Sequence, residues 1–212
     1  VSTRDGVYIG GSFAGPMNIP TSVAQASSAA AAAAKTLAPA RHALTREKQY
    51  PPEKNIAGLE PRIGVFVCSC GVNIANTVDV DALVEYALSL PNVVHAENNM
   101  FTCSTDTQNL MARAVEENSL NRIVVAACSP RTHEPLFQDT LREVGLNGYL
   151  LEMANIRNHN AWVHQQEPER ALEKAKDQVR MAAAKVRMAY PLEDLPIDVI
   201  QKALVVRSEE RR

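Results

Sequence analysis

No stretch of this sequence approaches the roughly 20 consecutive apolar residues that a transmembrane helix requires, so a membrane-spanning chain is not expected. The longest low-complexity run, Ala29 to Ala34, has no basic region before it and does not read as a signal peptide. An excess of one charge is also missing. Lys and Arg number 22 against 24 Asp and Glu, a formal net charge of −2 that points to neither nucleic acid nor an anionic membrane as partner. No acid–base pair or nucleophile for bond-making chemistry stands out. Cysteine is scarce, with only four, at Cys68, Cys70, Cys103 and Cys128. A 212-residue chain buries enough core to do without disulfide staples. With no secretory signal, the few cysteines of a cytoplasmic protein serve metal or redox chemistry more often than cross-linking. What remains is 46% hydrophobic and 22% charged, the composition of a soluble globular protein.

Three regions separate by composition. Residues 1–45 carry a short apolar run, Val7-Tyr8-Ile9, that reads as a strand, then a Gly/Pro-containing turn from Gly10 to Pro16. An alanine-rich helix is expected from Thr21 through Leu37, with Thr21 or Ser22 as N-cap. Residues 46–61 are polar with adjacent prolines, a linker composition. Residues 62–190 then alternate between strand and helix patterns. Strands are expected at 63–67, 93–96, 123–127 and 149–153, the third being the clearest buried run. Helices are expected around Val80, Leu83, Val84, Ala87 and Leu88; at about 106–117 with Leu110, Met111 and Val115 inward; at about 134–144; and at about 168–188 with Leu172, Ala175, Val179, Ala182 and Val186 on the apolar stripe. This alternation predicts an α/β fold, a mostly parallel, Rossmann-like sheet with helices on both faces, preceded by a strand–turn–helix segment. Residues 191–212 read as a linker and the start of a further strand, Lys202-Ala203-Leu204-Val205-Val206, which ends abruptly in charge. Together with Val at position 1, this reads as a fragment or as one component of a larger machine.

On that pattern all four cysteines fall just beyond the carboxyl ends of three different strands, the edge where α/β proteins build their sites. Cys68 and Cys70 follow the first strand, Cys103 lies in the loop after the second, and Cys128 follows the third. Four thiols converging near helix N-termini match the ligand set of a [4Fe–4S] cluster, and helix N-termini are expected to lower their pKa. Ser69, Gly71, Ser104 and Ser129 flank them as candidate donors to sulfur, and Pro130 is expected to stiffen the loop after Cys128. Three other readings stay open: buried core cysteines with no metal, a structural Cys₄ zinc site on a scaffold domain, and a reversible dithiol pair at Cys68 and Cys70. His133, next to Arg131, reads first as a polar residue at a helix start. His159 and His164, which flank Trp162, read as surface or capping groups. Asp79, Asp81 and Glu85 read as a solvated helix face.

The segments Arg62–Ala75, Phe101–Ser104, Val124–Phe137 and Glu152–Arg157 resemble the N-terminal domain of the A subunits of heterodisulfide reductases. The resemblance runs from about Arg62 to Met188. It implies a [4Fe–4S] domain held by Cys68, Cys70, Cys103 and Cys128, preceding a thioredoxin-reductase-like FAD domain. The complete A subunit carries electrons, in methanogens through flavin-based bifurcation, towards the CoM–CoB heterodisulfide. The partners implied resemble the B and C subunits of the same enzyme, linked to a hydrogenase or a formate dehydrogenase. Residues 3–27 are similar to the last strand, turn and helix of that flavin domain, so Gly10, Gly11, Ser12, Ile19, Pro20, Ser22 and Val23 are the residues implied to contact FAD. Lys202–Val206 resembles the first strand of a following FAD domain. The Gly-rich phosphate turn expected next is replaced by Arg207-Ser208-Glu209, so the FAD site in this chain is incomplete.

Overall fold

The computed structural model describes residues 2–200 and residue 202. The chain divides between Gln49 and Tyr50 into two compact units. Of the run 202–206 only Lys202 is among the described residues, so the expected strand there lies outside them.

The first unit contains a short 3₁₀ turn, Gly11–Ala14, and helix α1, Ile19–Leu37. α1 begins two residues earlier than the sequence suggests. Its N-cap is Asn18, whose Oδ1 accepts the Thr21 N–H at 2.9 Å, and Pro20 sits in the first turn where a missing N–H costs nothing. No residue of α1 is buried. The expected strand at 7–9 does not form; these residues are irregular. A strand needs a neighbour for its backbone groups, and no strand is assigned among the described residues of this unit.

The second unit is an α/β layer structure. Strands β1 (Ile63–Cys68), β2 (Val93–Asn99), β3 (Arg122–Ala127) and β4 (Leu151–Asn155) form one sheet in the order β2-β1-β3-β4, every pair parallel. Between them run α2 (Val80–Leu88), α3 (Thr105–Glu117) and α4 (Pro130–Glu143), and α5 (Pro168–Arg187) follows β4. α2 packs against α5 and α3 against α4, so each face of the sheet carries one helix pair. That is why the inner strands β1 and β3 are buried at every residue while the edge strand β2 is not.

Each helix start has a local cause. Asp79 caps α2 by accepting the Ala82 N–H at 3.0 Å, and Ser104 caps α3 by accepting the Thr107 N–H at 3.3 Å. α4 begins at Pro130, four residues before its expected start, because proline at the first helical position is pre-set for the helix. Pro130 is therefore the first residue of α4 rather than a stiffener of a loop. β2 runs three residues past its expected end, and β4 is shifted two residues onward. Leu110 faces solvent, while Met111 and Val115 are buried as expected. Residues 50–61, linker-like in composition, lie along the α/β unit: the Lys54 N–H donates to the Gly145 carbonyl at 2.7 Å, Asn147 Nδ2 to Glu53 Oε2 at 2.9 Å, and Ile56 is buried.

Candidate functional site

The chain goes from β1 out to β2, then crosses back over β1 to β3 and on to β4. Strand order therefore reverses between β1 and β3. Connections leave that point on opposite faces, which opens a crevice at the carboxyl ends of the two strands. Cys68 is the last residue of β1, one place further into the strand than expected, and Cys128 immediately follows β3. Val67 pairs with Ala126, so the register sets Cys128 one residue beyond the level of Cys68. Both thiols flank the switch point.

The other two arrive on loops. Cys103 lies between β2 and α3, directly before the capping Ser104, just as Cys128 lies directly before Ser129, the N-cap of α4. Cys70 stands two residues after β1 with φ +46°, and Gly71 follows at φ +56°. Two left-handed residues in succession turn the chain sharply off the sheet. The turn is tied down by the Ser69 N–H to the Asn99 carbonyl at 2.8 Å and by the Asn73 N–H to the Cys70 carbonyl at 3.0 Å.

All four cysteines are free thiols, and they sense one another. Burial pushes the Cys103 thiol up, and proximity to Cys68 and Cys70 adds to the shift. Burial likewise pushes Cys128 up, opposed by the positive charge of Arg157 and reinforced by Cys68 and Cys103. The expected lowering by helix N-termini is thus overridden at these two residues: desolvation of the charged form outweighs the dipole of the helix behind each thiol. Protein donors already point at the sulfurs. The Thr102 N–H reaches Cys68 Sγ at 3.4 Å, and Arg157 Nη1 reaches Cys70 Sγ at 3.6 Å. Thr102 is fully buried, and its hydroxyl has no hydrogen-bond partner in the protein.

A [4Fe–4S] cluster fits this donor set. Cys68, Cys70, Cys103 and Cys128 would hold it as thiolates, one to each iron, and its sulfurs would give the Thr102 hydroxyl an acceptor. Among the described residues no three His, Cys, Asp or Glu groups are close enough to hold one metal ion. A cubane, whose four ligands bind four different irons, does not need that single-ion spacing.

Apolar patterning and cysteine spacing give Arg157, Thr102 and Trp162 no role at this site, although Thr102 and Arg157 fall within the segments that carry the resemblance. His133 lies within α4, and His164 pairs with Glu167 at 3.2 Å near the start of α5, as a capping group would. In the first unit, Gly10, Gly11 and Ser12 lie at the turn before α1, where the Gly11 N–H donates to Gln25 Oε1 at 3.1 Å. Ile19, Pro20, Ser22 and Val23 lie in the first turns of α1, with Ile19 and Val23 exposed.

Fold and site define a parallel α/β protein with four free thiols at the carboxyl edge of its sheet, two of them flanking the topological switch point. No family model matches the chain. Curated relatives do. The chain is 55% identical over 147 residues to an iron-sulfur A subunit of CoB–CoM heterodisulfide reductase from Methanopyrus kandleri, covering 69% of this chain and 22% of the relative. It is 53% identical over 154 residues to the A subunit of the H2:CoB–CoM heterodisulfide, ferredoxin reductase of Methanothermobacter marburgensis, covering 73% and 23%. Against a protein of Archaeoglobus profundus that is named as similar to the heterodisulfide reductase A subunit, the identity is 48% over 147 residues, covering 69% and 21%. The chain belongs to the family of heterodisulfide reductase A subunits. It spans about a fifth of the length of these relatives.

Proposed function

We propose that this chain is an electron-relay module holding one [4Fe–4S] cluster on Cys68, Cys70, Cys103 and Cys128. The observation that supports the reading is that four free thiols, Cys68 at the end of β1 and Cys70, Cys103 and Cys128 just beyond strand ends, lie at the carboxyl edge of the sheet around the β1/β3 switch point. When bound, the cluster supplies reversible one-electron chemistry. The chain's own residues do the rest. Four thiolates hold the group, the Thr102 N–H and hydroxyl and the Arg157 guanidinium donate to sulfur, and the surrounding core limits water. Burial disfavours bare thiolates at Cys103 and Cys128, which a cationic iron core offsets.

In this reading the module passes electrons between FAD and iron–sulfur subunits of a cytoplasmic heterodisulfide-reductase-like complex. The names of its relatives, which include an iron-sulfur subunit of one reductase and part of a ferredoxin reductase, support that setting. The turn and first helical turns at Gly10, Gly11, Ser12, Ile19, Pro20, Ser22 and Val23 contribute one wall of a flavin site completed by other polypeptide. No helix among the described residues is long and apolar enough to cross a membrane.

A reductive titration of the anaerobically reconstituted chain tests the relay. About one electron per chain should be taken up, bleaching the brown chromophore, with full recovery on reoxidation. A colourless protein that takes up no electron and carries zinc would contradict the proposal.

A further inference from the structure

Arg157 stands apart from the thiol pattern and reaches the site from beyond the edge strand β4. It opens a five-residue π-helix, Arg157–Ala161, soon after that strand. Such segments are rare and are frequently found at functional sites. The Asn158 N–H donates to Asn155 Oδ1 at 2.9 Å, which fixes the start of the turn. The guanidinium lies over the Trp162 ring at 4.7 Å from its centroid. Trp162 Nε1 in turn donates to Asn73 Oδ1 at 3.3 Å, and Asn73 Nδ2 to the Cys70 carbonyl at 3.3 Å. With Arg157 Nη1 on Cys70 Sγ at 3.6 Å, the contacts close into a ring: Arg157, Trp162, Asn73, Cys70 and back to Arg157. Cys70 is also the thiol whose backbone is held in the left-handed region, at φ +46°. Strain of this kind persists where the surroundings over-determine it.

Among the described residues no carboxylate forms a salt bridge with Arg157. A structural arginine stacked on tryptophan would not need to face the thiols.

We propose that Arg157, held by the Trp162–Asn73 bridge against Cys70, sets the reduction potential of the thiol site by balancing the negative charge that each electron adds there. This rests on the cluster reading above. One electron from a reduced flavin or similar one-electron donor adds one negative charge near Cys70, and no bond is made or broken. A guanidinium within hydrogen-bonding distance of Sγ stabilises that added charge and so raises the potential. Arg157 is a positioning residue acting through Cys70; it takes no part in bond-making.

The test is a potentiometric titration of the reconstituted chain and of Arg157→Lys, Arg157→Gln and Arg157→Met, with iron counted in every sample. The two neutral variants should lower the reduction equilibrium constant at least tenfold, a fall of about 59 mV for one electron. Arg157→Lys, which keeps the charge, should stay closer to the parent. If only the neutral variants lose iron, Arg157 holds the site together rather than setting its potential, and the proposal falls. Full iron with an unchanged potential in Arg157→Gln or Arg157→Met overturns it. So does loss of iron in all three variants, which would make Arg157 a packing residue. Absence of iron from the parent chain would instead sink the cluster reading itself, so the two failures are distinct.

Discussion

Cys70 pays about 1–2 kcal/mol for its left-handed backbone, and Thr102 buries a hydroxyl with no partner, so two residues at the thiol site are individually unfavourable. Both make sense if a ligand completes them. Thr102→Val tests this with a sign that separates the states. Removing an unsatisfied buried hydroxyl should stabilise the metal-free chain by about 1 kcal/mol, read as a higher urea midpoint. The same change should speed iron loss to a chelator from the loaded chain. Destabilisation of the metal-free form would contradict the assignment. Away from the site, Gly64 has no room for a side chain: a Cβ there would stand 2.5 Å from Leu120 Cδ1 and 3.3 Å from Ile123 Cδ1. Gly64→Ala should cost about 1–3 kcal/mol by overpacking, measured by denaturant unfolding. At this scale the cysteines are legible in the sequence because their residue type and their places after apolar runs both carry information. Arg157 is not. It is separated from Cys70 by 87 positions, and only the folded sheet brings them together.

Strands β1 and β3 are readable as elements because both of their faces are covered, so every residue is apolar or shielded and the run is unbroken. The end of β2 is not readable. Past Ala96 it continues through Glu97, Asn98 and Asn99, polar residues suited to an edge strand but silent in a search for apolar runs. There His95 Nε2 and Glu97 Oε2 lie 3.2 Å apart, and this hydrogen bond chiefly holds the Glu97 carboxyl below the usual range, against the rise from burial. A depressed carboxyl stabilises the fold above its unfolded pKa, near about 4.3, and loses that contribution as pH falls through the folded value. Glu97→Gln should therefore be less stable than the parent near pH 6, by under about 1 kcal/mol, with the gap closing as the pH drops below the carboxylate range. A gap that widens in acid would contradict this. The start of α4 escapes the sequence pattern for a different reason. Pro130 carries two meanings, turn former and first helical residue, and here it takes the second, with Ser129 as N-cap.

On the scale of the molecule, the order β2-β1-β3-β4 puts the reversal of strand order between the strand that ends in Cys68 and the strand that Cys128 follows. The loops after β1 and β2 then need only short excursions to add Cys70 and Cys103. The alternation of strand and helix makes this architecture predictable, and the thiol edge follows from it. The isolated run at 7–9 misleads, because apolar character alone does not supply a neighbouring strand. The central claim is that sulfurs from three loops share one inorganic group. Its most direct measurement is iron per chain after anaerobic reconstitution, in the parent and in Cys68→Ser, Cys70→Ser, Cys103→Ser and Cys128→Ser. The account predicts about four irons in the parent and a sharp fall in each variant, with Cys103→Ser and Cys128→Ser falling as far as the paired cysteines. Unchanged iron in either of those two, or a parent that binds none, would contradict it.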